Sequence, residues 1–466
     1  MNASPESSFS PVRSSVSIWK LILIGGIILA LMIPLIWVRS LVDERFERSE
    51  KVKEEIAAKW GSEQTVSGPF LSVPYSVTVT RKDMSGNDKV VSETRYLHIT
   101  PDSANITGMV QSTVHKRGIF KVPGYRADLD IACSFSSAID AGNIPKNTIL
   151  DWKNALITFD LGDERGLKEL SGQLSGQPLK FKTSRDVVIV SGAVEPPLEH
   201  KSFFDVRSKT RPDKNINFKF EAKAPLQDSP IGNIINLQLS FTGTRQLSFL
   251  TSALQQSISL KGDWLSPSFS GDILPDIRTV DSNGFTAEWN TNYLNTGNKT
   301  SWNSDEPTIR LAGLGVKFLV MVDAYQQTTR TLKYAILFLL LTFMAFFFTE
   351  TITRQRIHPI QYLMVGCSLI VFYLLLLSFS EHIGFGWSYL IAALAVVIQI
   401  SLYCHTILRS RKFALQIGSL LTGVYVFLYV LLRLEDTALL VGSIGLFILL
   451  AVAMYIIRNV NWYNQE

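Results

Sequence analysis

Residues 18–38 read IWKLILIGGIILALMIPLIWV, and no comparable apolar run follows until Tyr334. From there to Ile457 the chain is almost continuously apolar, interrupted by the short gaps TETITRQRIHPIQ, SEHIGFGW, RSRK and RLED. A hydrocarbon layer of about 30 Å takes about 20 apolar helical residues to cross. The first run meets that length, with Trp19 and Trp37 near its ends, where indole rings favour the membrane interface. The tail divides into further segments at about 333–348, 362–379, 388–408, 413–432 and 437–457. Backbone polar groups cannot stay unpaired in lipid, so each segment is expected to be a helix, and Pro34 and Gly25-Gly26 do not oppose this. The first run lacks a small-residue cleavage site and is followed by Trp37-Val38-Arg39, which predicts a retained anchor rather than a signal peptide.

The layout predicts an α+β membrane protein. Its parts are a disordered cytoplasmic start (1–17), one N-terminal spanning helix (18–38), a large antiparallel β-rich periplasmic domain (39–332), a C-terminal bundle of five spanning helices (333–457) and a cytoplasmic tail (458–466). Orientation follows from Lys and Arg in the short loops. Arg354 and Arg356, then Arg409, Arg411 and Lys412, then Arg458 fall on alternate sides from the uncharged-base loop with Glu381 and His382 and from the loop with Arg433, Glu435 and Asp436. That alternation places both termini in the cytoplasm. The basic residues after the first helix, Arg39 to Lys59, run against it, but they are matched by acids and lead into a large domain, which translocates largely regardless of charge.

The mean hydropathy of +0.18 averages a polar middle and a very apolar tail. The net charge of +5 is partly the cytoplasmic loop charge and is no sign of nucleic-acid binding. Of the three cysteines only Cys133 falls in the middle region, so that domain has no internal disulfide and rests on its core.

The middle opens with LVDERFERSEKVKEEIAAKW, whose Glu47/Lys51 and Glu55/Lys59 spacing predicts a solvated helix continuing from the anchor. The period then changes to two. FLSVPYSVTVT, VVSETRYLHIT, YRADLDIACSF, DVVIVSGAV, INFKFEAKA and IINLQLSFTGT read as strands bounded by turn residues, predicting an antiparallel sandwich-type domain. Asn292–Glu306, NYLNTGNKTSWNSDE, reads as a polar loop.

Catalytic patterns are missing. There is no H-E-x-x-H, G-x-S-x-G or P-loop, and no enzyme or cofactor is expected. GSIG at Gly442–Gly445 reads as close helix packing. GDERG at Gly162–Gly166 reads as a charged turn, with cation or partner binding as its alternative. His98, His115 and His200 lack metal-ligand spacing.

The residues singled out lie at the membrane edges, where charge is costly. Arg330 and Lys333 stand at the outer mouth of the second helix, Glu350 at its inner end with Arg354 and Arg356 beyond, and His358 opens the third helix. Glu350, His358 and His405 are placed to meet on the inner side, while Glu381 and His382 close the third helix outside. His358 and Glu381 are 23 positions apart, about 35 Å along a helix, so they form no single site. The expected pairing is local, Glu350 with Arg354 at i,i+4, with the other groups reaching the interface. Arg330 and Lys333 either anchor at the lipid headgroups or dock the outer domain. The midplanes FLLLTF, FYLLLL and AVVIQI are apolar except for Gln399, which weighs against a conducting path.

RTLKYAILFLLLTFMAFFFTETITRQRIHPIQYLMVGCSLIVFYLLLLSFSEHIGF, Arg330–Phe385, resembles the CreD family of inner-membrane proteins, also described as cell envelope integrity proteins. IPLIWVRSLVDER, GPFLSVP, WLSPSFSGDILP, GFTAEW, VDAY and NVNWY extend the resemblance over almost the whole chain. It implies a bacterial inner-membrane protein with a large periplasmic domain, linked to a two-component regulatory system and to envelope integrity and stress. It brings no catalytic residues. The function expected is therefore a scaffold or binding module in the inner membrane, in contact with the lipid bilayer, whose periplasmic domain engages an envelope protein or lipid; the alternative is a lipid or small-molecule transport component using the helix bundle.

Overall fold

The computed structural model describes residues 18–82, 88–135, 144, 148–183, 189–192, 215–217, 220–224, 226, 229–303, 309–318, 324–353, 357–408, 411–434, 440–445, 447, 451 and 454. The segments 1–17 and 458–466 lie outside that set, as does most of the expected last span, 437–457.

The helices are α1 Ile18–Trp60, α2 Tyr293–Thr296, α3 Ala324–Lys333, α4 Ala335–Thr353, α5 Pro359–Ile383, α6 Phe385–Leu408 and α7 Arg411–Arg433. The strands are β1 Gln64–Lys82, β2 Asp88–Ile99, β3 Ser103–Arg117, β4 Phe120–Phe135, β5 Leu156–Leu161, β6 Leu167–Leu174, β7 Gln177–Pro178, β8 Phe181–Thr183, β9 Ile189–Gly192 and β10 Asn215–Asn217. They continue with β11 Phe220–Lys223, β12 Asn233–Thr244, β13 Gln246–Leu250, β14 Gln255–Gly262, β15 Pro267–Gly271, β16 Ile277–Asp281, β17 Gly284–Asn292, β18 Ser301–Asn303, β19 Ile309–Leu311 and β20 Gly313–Phe318. The chain divides into two compact units, Glu50–Met321 and Met1–Ser49 with Val322–Glu466.

The β unit is built from two large sheets. One has the order β15-β20-β13-β1-β5-β11-β8, with β2 beside β1 and β18 beside β2; the other runs β16-β17-β14-β3-β4-β12-β6-β7. A small third sheet is β10-β9-β19. In the eight-stranded sheet, burial alternates along β3, β12 and β14, as period-two sequence dictates. Its inner face, with Ile106, Leu129, Leu237 and Leu260, shares one apolar core with Leu71, Leu97, Phe159 and Phe249 of the nine-stranded sheet. That shared core is what makes the pair a sandwich.

The nine-stranded sheet is buried on its second face as well. Phe70, Ser72, His98 and Thr158 lie there, with Trp302 of β18 against the Phe70 ring (4.9 Å) and the His98 ring (5.4 Å). Ser72 Oγ is 2.7 Å from His98 Nδ1 and 2.9 Å from Thr158 Oγ1. Burial lowers the His98 imidazole to about 3. Double-sided burial explains why GPFLSVP reads as an unbroken run of small and apolar residues rather than a strict alternation.

Two expectations are corrected here. The sheets are predominantly antiparallel but not wholly so: β1–β13, β3–β14 and β9–β19 are parallel. Alternation reports which face a side chain takes and carries no information about the partner strand's direction. The polar loop 292–306 also contains structure. Asn292 caps α2 by accepting from Leu294 N and Asn295 N, and β18 inserts the buried Trp302.

Within the β unit, the end of α1 is tied to the sheets. Gly61 takes φ 124°, and a Cβ there would stand 2.5 Å from Thr242 O. That stops the helix. Thr244 Oγ1 donates to Gly61 O at 3.1 Å. Glu50 meets Lys53 at 2.7 Å and Arg245 at 3.0 Å, and Glu55 pairs with Arg117. The expected helix continues from the anchor with Glu47, Lys51, Glu55 and Lys59 exposed, and it is also held to the β unit by the pairs with Arg245 and Arg117. The GDERG turn is a charged hub. Asp163 accepts from Ser62 N and Ser62 Oγ, both at 2.9 Å, and from Arg165 Nε (2.9 Å) and Nη2 (2.8 Å). Burial works against its charge, but the bonds from Arg165 and Ser62 outweigh burial and hold the carboxyl well below the usual carboxylate range. Cys133 is buried in the core, outside any disulfide, and burial pushes its thiol up to about 12.

Candidate functional site

The helical unit contains the residues singled out from the sequence. Among the described residues four helices are long and apolar enough to cross a membrane: Ile22–Trp60, Pro359–Ile383, Phe385–Ile407 and Ala414–Arg433. Ala324–Lys333 and Ala335–Phe347 meet at a 48° bend and supply a fifth crossing if they are one span. The expected second helix began at Lys333; the chain instead turns at Tyr334, between α3 and α4. Residues 440–445 are helical.

Aromatic rings fill the core of this unit. Phe372 lies 5.0 Å from Tyr373, 5.4 Å from Tyr389 and 4.8 Å from Tyr425, while Phe338 lies 4.6 Å from Tyr425. Gly366 lets α1 approach α5, since a Cβ there would sit 2.2 Å from Leu31 Cδ1. Tyr389 OH donates to Tyr425 O at 2.8 Å. The hydroxyls of Tyr373 and Tyr425 are buried with no hydrogen-bond partner among the described residues. Gln399, the polar exception at midplane, is exposed on α6.

Polar chemistry gathers at the two ends of α5. At the first, Glu350 of α4 pairs with Lys20 of α1. Its other oxygen accepts from Tyr362 OH at 3.0 Å, and Oε1 also accepts from Ile357 N at 3.2 Å. Lys20 Nζ donates in turn to Ile357 O at 3.0 Å. One carboxylate thus ties three helices together. Its expected partner, Arg354, lies with Arg356 outside the described residues. His358 does not join Glu350; it caps α5, accepting from Ile360 N, while Gln361 Oε1 accepts from His358 N at 3.0 Å. His405 is exposed.

At the other end Tyr325 OH of α3 donates to Glu381 Oε1 of α5 at 3.0 Å, and the Phe46 ring of α1 lies 6.4 Å from Tyr325. The His382 ring folds back on its own helix, with Nδ1 3.1 Å from Ser378 O. Arg330 and Lys333 are exposed in the last turn of α3, where cations favour the helix C-terminus. Sequence reasoning missed Lys20 and Tyr325. The signal for Lys20 was present: a lone cation inside an apolar run needs an anion, and Glu350, in the gap just after the segment 333–348, is one of the few acids of the tail. Among the described residues no group of three His, Cys, Asp or Glu side chains is placed to hold a metal.

The model of the family described as "Inner membrane protein CreD" matches residues 16–463. This chain belongs to the CreD family. It is 31% identical over 455 residues to the Inner membrane protein CreD of Escherichia coli (strain K12), covering 96% of this chain and 93% of that protein. Membership of CreD, together with the apolar helices, makes this a multi-pass inner-membrane protein. The anchor resemblance at Ile33–Arg45 and the tail resemblance at Arg330–Phe385 both lie within the matched span of CreD.

Proposed function

We propose that this protein serves cell envelope integrity as a scaffold or binding module, not as an enzyme, holding its β domain in the periplasm with both termini in the cytoplasm. The observation that carries the reading is the contrast in the described residues between a ring-packed helical core and a β unit with an open, hydrogen-bonding surface. A bundle stitched by Phe372 and its neighbours has the character of an anchor. Alternating loop charge supports the outward placement of the β domain. The link to a two-component stress regulon rests on the family resemblance. Reporter fusions test the topology. A periplasm-active reporter is expected to work after Thr300 and to fail at Arg411 and after Glu466; activity at Arg411 would sink the arrangement.

A second reading, a transport component for lipids or small molecules, is favoured by two observations. The second apolar segment bends by 48° at Tyr334, between Ala324–Lys333 and Ala335–Phe347. Tyr373 and Tyr425 bury hydroxyls in mid-bundle. Broken helices and intramembrane polar groups are what transport sites are made from.

A further inference from the structure

The outer face of the eight-stranded sheet holds a groove of about 540 Å³, within the usual range for a ligand site. Its floor is set by strand register. Thr107 of β3 stands opposite Asp130 of β4, Asp130 opposite Gln238 of β12, and Gln238 opposite Ser171 of β6. One step along, Asn105, Ala132, Asn236 and Gln173 form a second row. All eight are exposed, so the two rows share the outer face. The hairpin from β6 to β7 supplies a wall at Pro178 and Leu179.

The chemistry of this groove is selective. Among the described residues its lining contains no Lys, Arg or His, and Asp130 is its single acid. A phosphate, a nucleotide or an anionic headgroup would meet no cation there and one repelling carboxylate. The lining is instead a field of carboxamides and hydroxyls. Gln238 Nε2 donates to Asp130 Oδ1 at 3.0 Å, which leaves the Gln238 carbonyl free to accept. Asn105, Asn236 and Gln173 make no side-chain hydrogen bond among the described residues. Ala132 lies between Asn105 and Asn236, and its small side chain leaves a depression flanked by two amides.

We propose that this groove binds a neutral, linear oligosaccharide. Each sugar ring presents neighbouring hydroxyls that both donate and accept, and carboxamides and a carboxylate pair with them two bonds at a time. The rows repeat polar groups at the strand spacing of about 4.8 Å, which suits a chain of repeating polyhydroxyl units laid across the strands. Ala132, Pro178 and Leu179 give apolar surface for the C–H faces of the rings. An extended peptide fits less well, because most of the groove floor is on the inner strands β3, β4 and β12, whose backbone groups are already spent in ladders on both sides. The inference names a ligand class for the binding module proposed above and rests on that reading only for where the ligand is met.

The test uses the full-length protein in lipid nanodiscs on an array of neutral and acidic linear oligosaccharides, with titration calorimetry on the retained neutral compounds. Saturable binding of neutral oligosaccharides is expected. The double variant Asn105→Ala/Asn236→Ala is expected to weaken it at least tenfold, and Ala132→Tyr, which fills the depression, to abolish it. Glu288→Gln, on the same sheet but outside the groove, is expected to bind as the wild type does. The groove changes are on exposed side chains and Glu288 is half-buried, and an unchanged melting profile verifies folding in each variant. Retention of acidic compounds alone, failure of every neutral compound to bind, or undiminished binding by both groove variants would overturn the proposal. Binding to purified protein is independent of topology, so this result and the reporter fusions fail separately.

Discussion

The two units solve the same problem in opposite ways. The β unit scatters its polar groups: Asp163 is buried in a turn under Arg165, Ser72 and His98 lie on a buried sheet face, and the row through Thr107 and Gln238 faces outward. The helical unit concentrates them. Lys20, Glu350 and Tyr362 gather at one end of α5, Tyr325 and Glu381 at the other, with rings between. Water satisfies a stray polar group at a β-domain surface, whereas lipid satisfies none. A charged group in the bundle therefore needs a partner, and each such pair is expected to carry more of the unit's stability than a single pair in the sandwich.

The largest effect is expected at Lys20 and Glu350. Lys20 and Glu350 are partly buried, with side chains 24% and 12% exposed, so removing one partner is expected to cost somewhat less than the roughly 3–5 kcal/mol of a fully buried pair. Lys20→Met or Glu350→Leu is expected to lower the melting temperature of the detergent-solubilised protein sharply. The Lys20→Met/Glu350→Leu double change should recover most of the loss, as apolar replacement of a whole buried pair is often neutral. A loss no larger in the single variants than in surface ion-pair variants such as Arg117→Gln would erase the contrast between the units.

That pair also shows what is legible in a sequence. The length of the apolar runs and the two-residue period announce helices and strands because both arise from local geometry. The cost of Glu350 in lipid is readable too, but helix periodicity points only to neighbours on the same helix. It pointed to Arg354, while the partner described is Lys20, far away in sequence and close in the fold. The parallel pairing of β3 with β14 was hidden for the same reason, and so was the groove, whose rows exist only after four strands have taken their register. Trp302 was lost in a stretch of Asn, Thr, Ser and Gly that resembles a loop, because one buried indole in a three-residue strand leaves no period to detect.

The next effect belongs to the β unit and depends on pH. His98 is held near 3 when folded against an ordinary value of 6.5, so the unfolded chain takes up its proton first. Stability is therefore full above pH 6.5 and is lost as pH falls from 6.5 toward 3. Each pH unit costs about 1.4 kcal/mol for one proton, or about 3 kcal/mol between pH 6.5 and 4.5. Protease resistance of the β unit in the full-length protein should fall over that window, and His98→Asn should flatten the dependence. A slope unchanged by the substitution would place the acid sensitivity elsewhere.

Asp163 should matter less. Asp163→Asn removes the charge that Arg165 and Ser62 satisfy, at a cost of about 1–3 kcal/mol, read as a lower melting temperature of the β unit at neutral pH. Its carboxyl is depressed, so its contribution is present at neutral pH and disappears as pH falls below the ordinary carboxylate range. The variant and the wild type should therefore converge in strong acid. A variant as stable as the wild type at pH 7 would make the GDERG turn an ornament of the loop rather than the hub that holds the end of α1.

The smallest effect is the sharpest test of the helical unit. Tyr373 and Tyr425 bury hydroxyls that find no partner among the described residues. An unpaired buried hydroxyl costs free energy, so trimming it to a phenyl ring removes a penalty and leaves the aromatic contacts with Phe372 intact. Tyr373→Phe and Tyr425→Phe are each expected to change the melting temperature little, or to raise it slightly, and the two effects should add. Additivity is expected of the hydroxyls alone, because both rings stay packed on Phe372 in every variant. Partners common to both hydroxyls, such as a bridging water or a polar ligand, would instead make each single change destabilising by about 1 kcal/mol and the double change less than the sum. That outcome would turn the ring cluster from a sealed anchor into a wet site in mid-membrane, and the transport reading would then be the better account of the bundle.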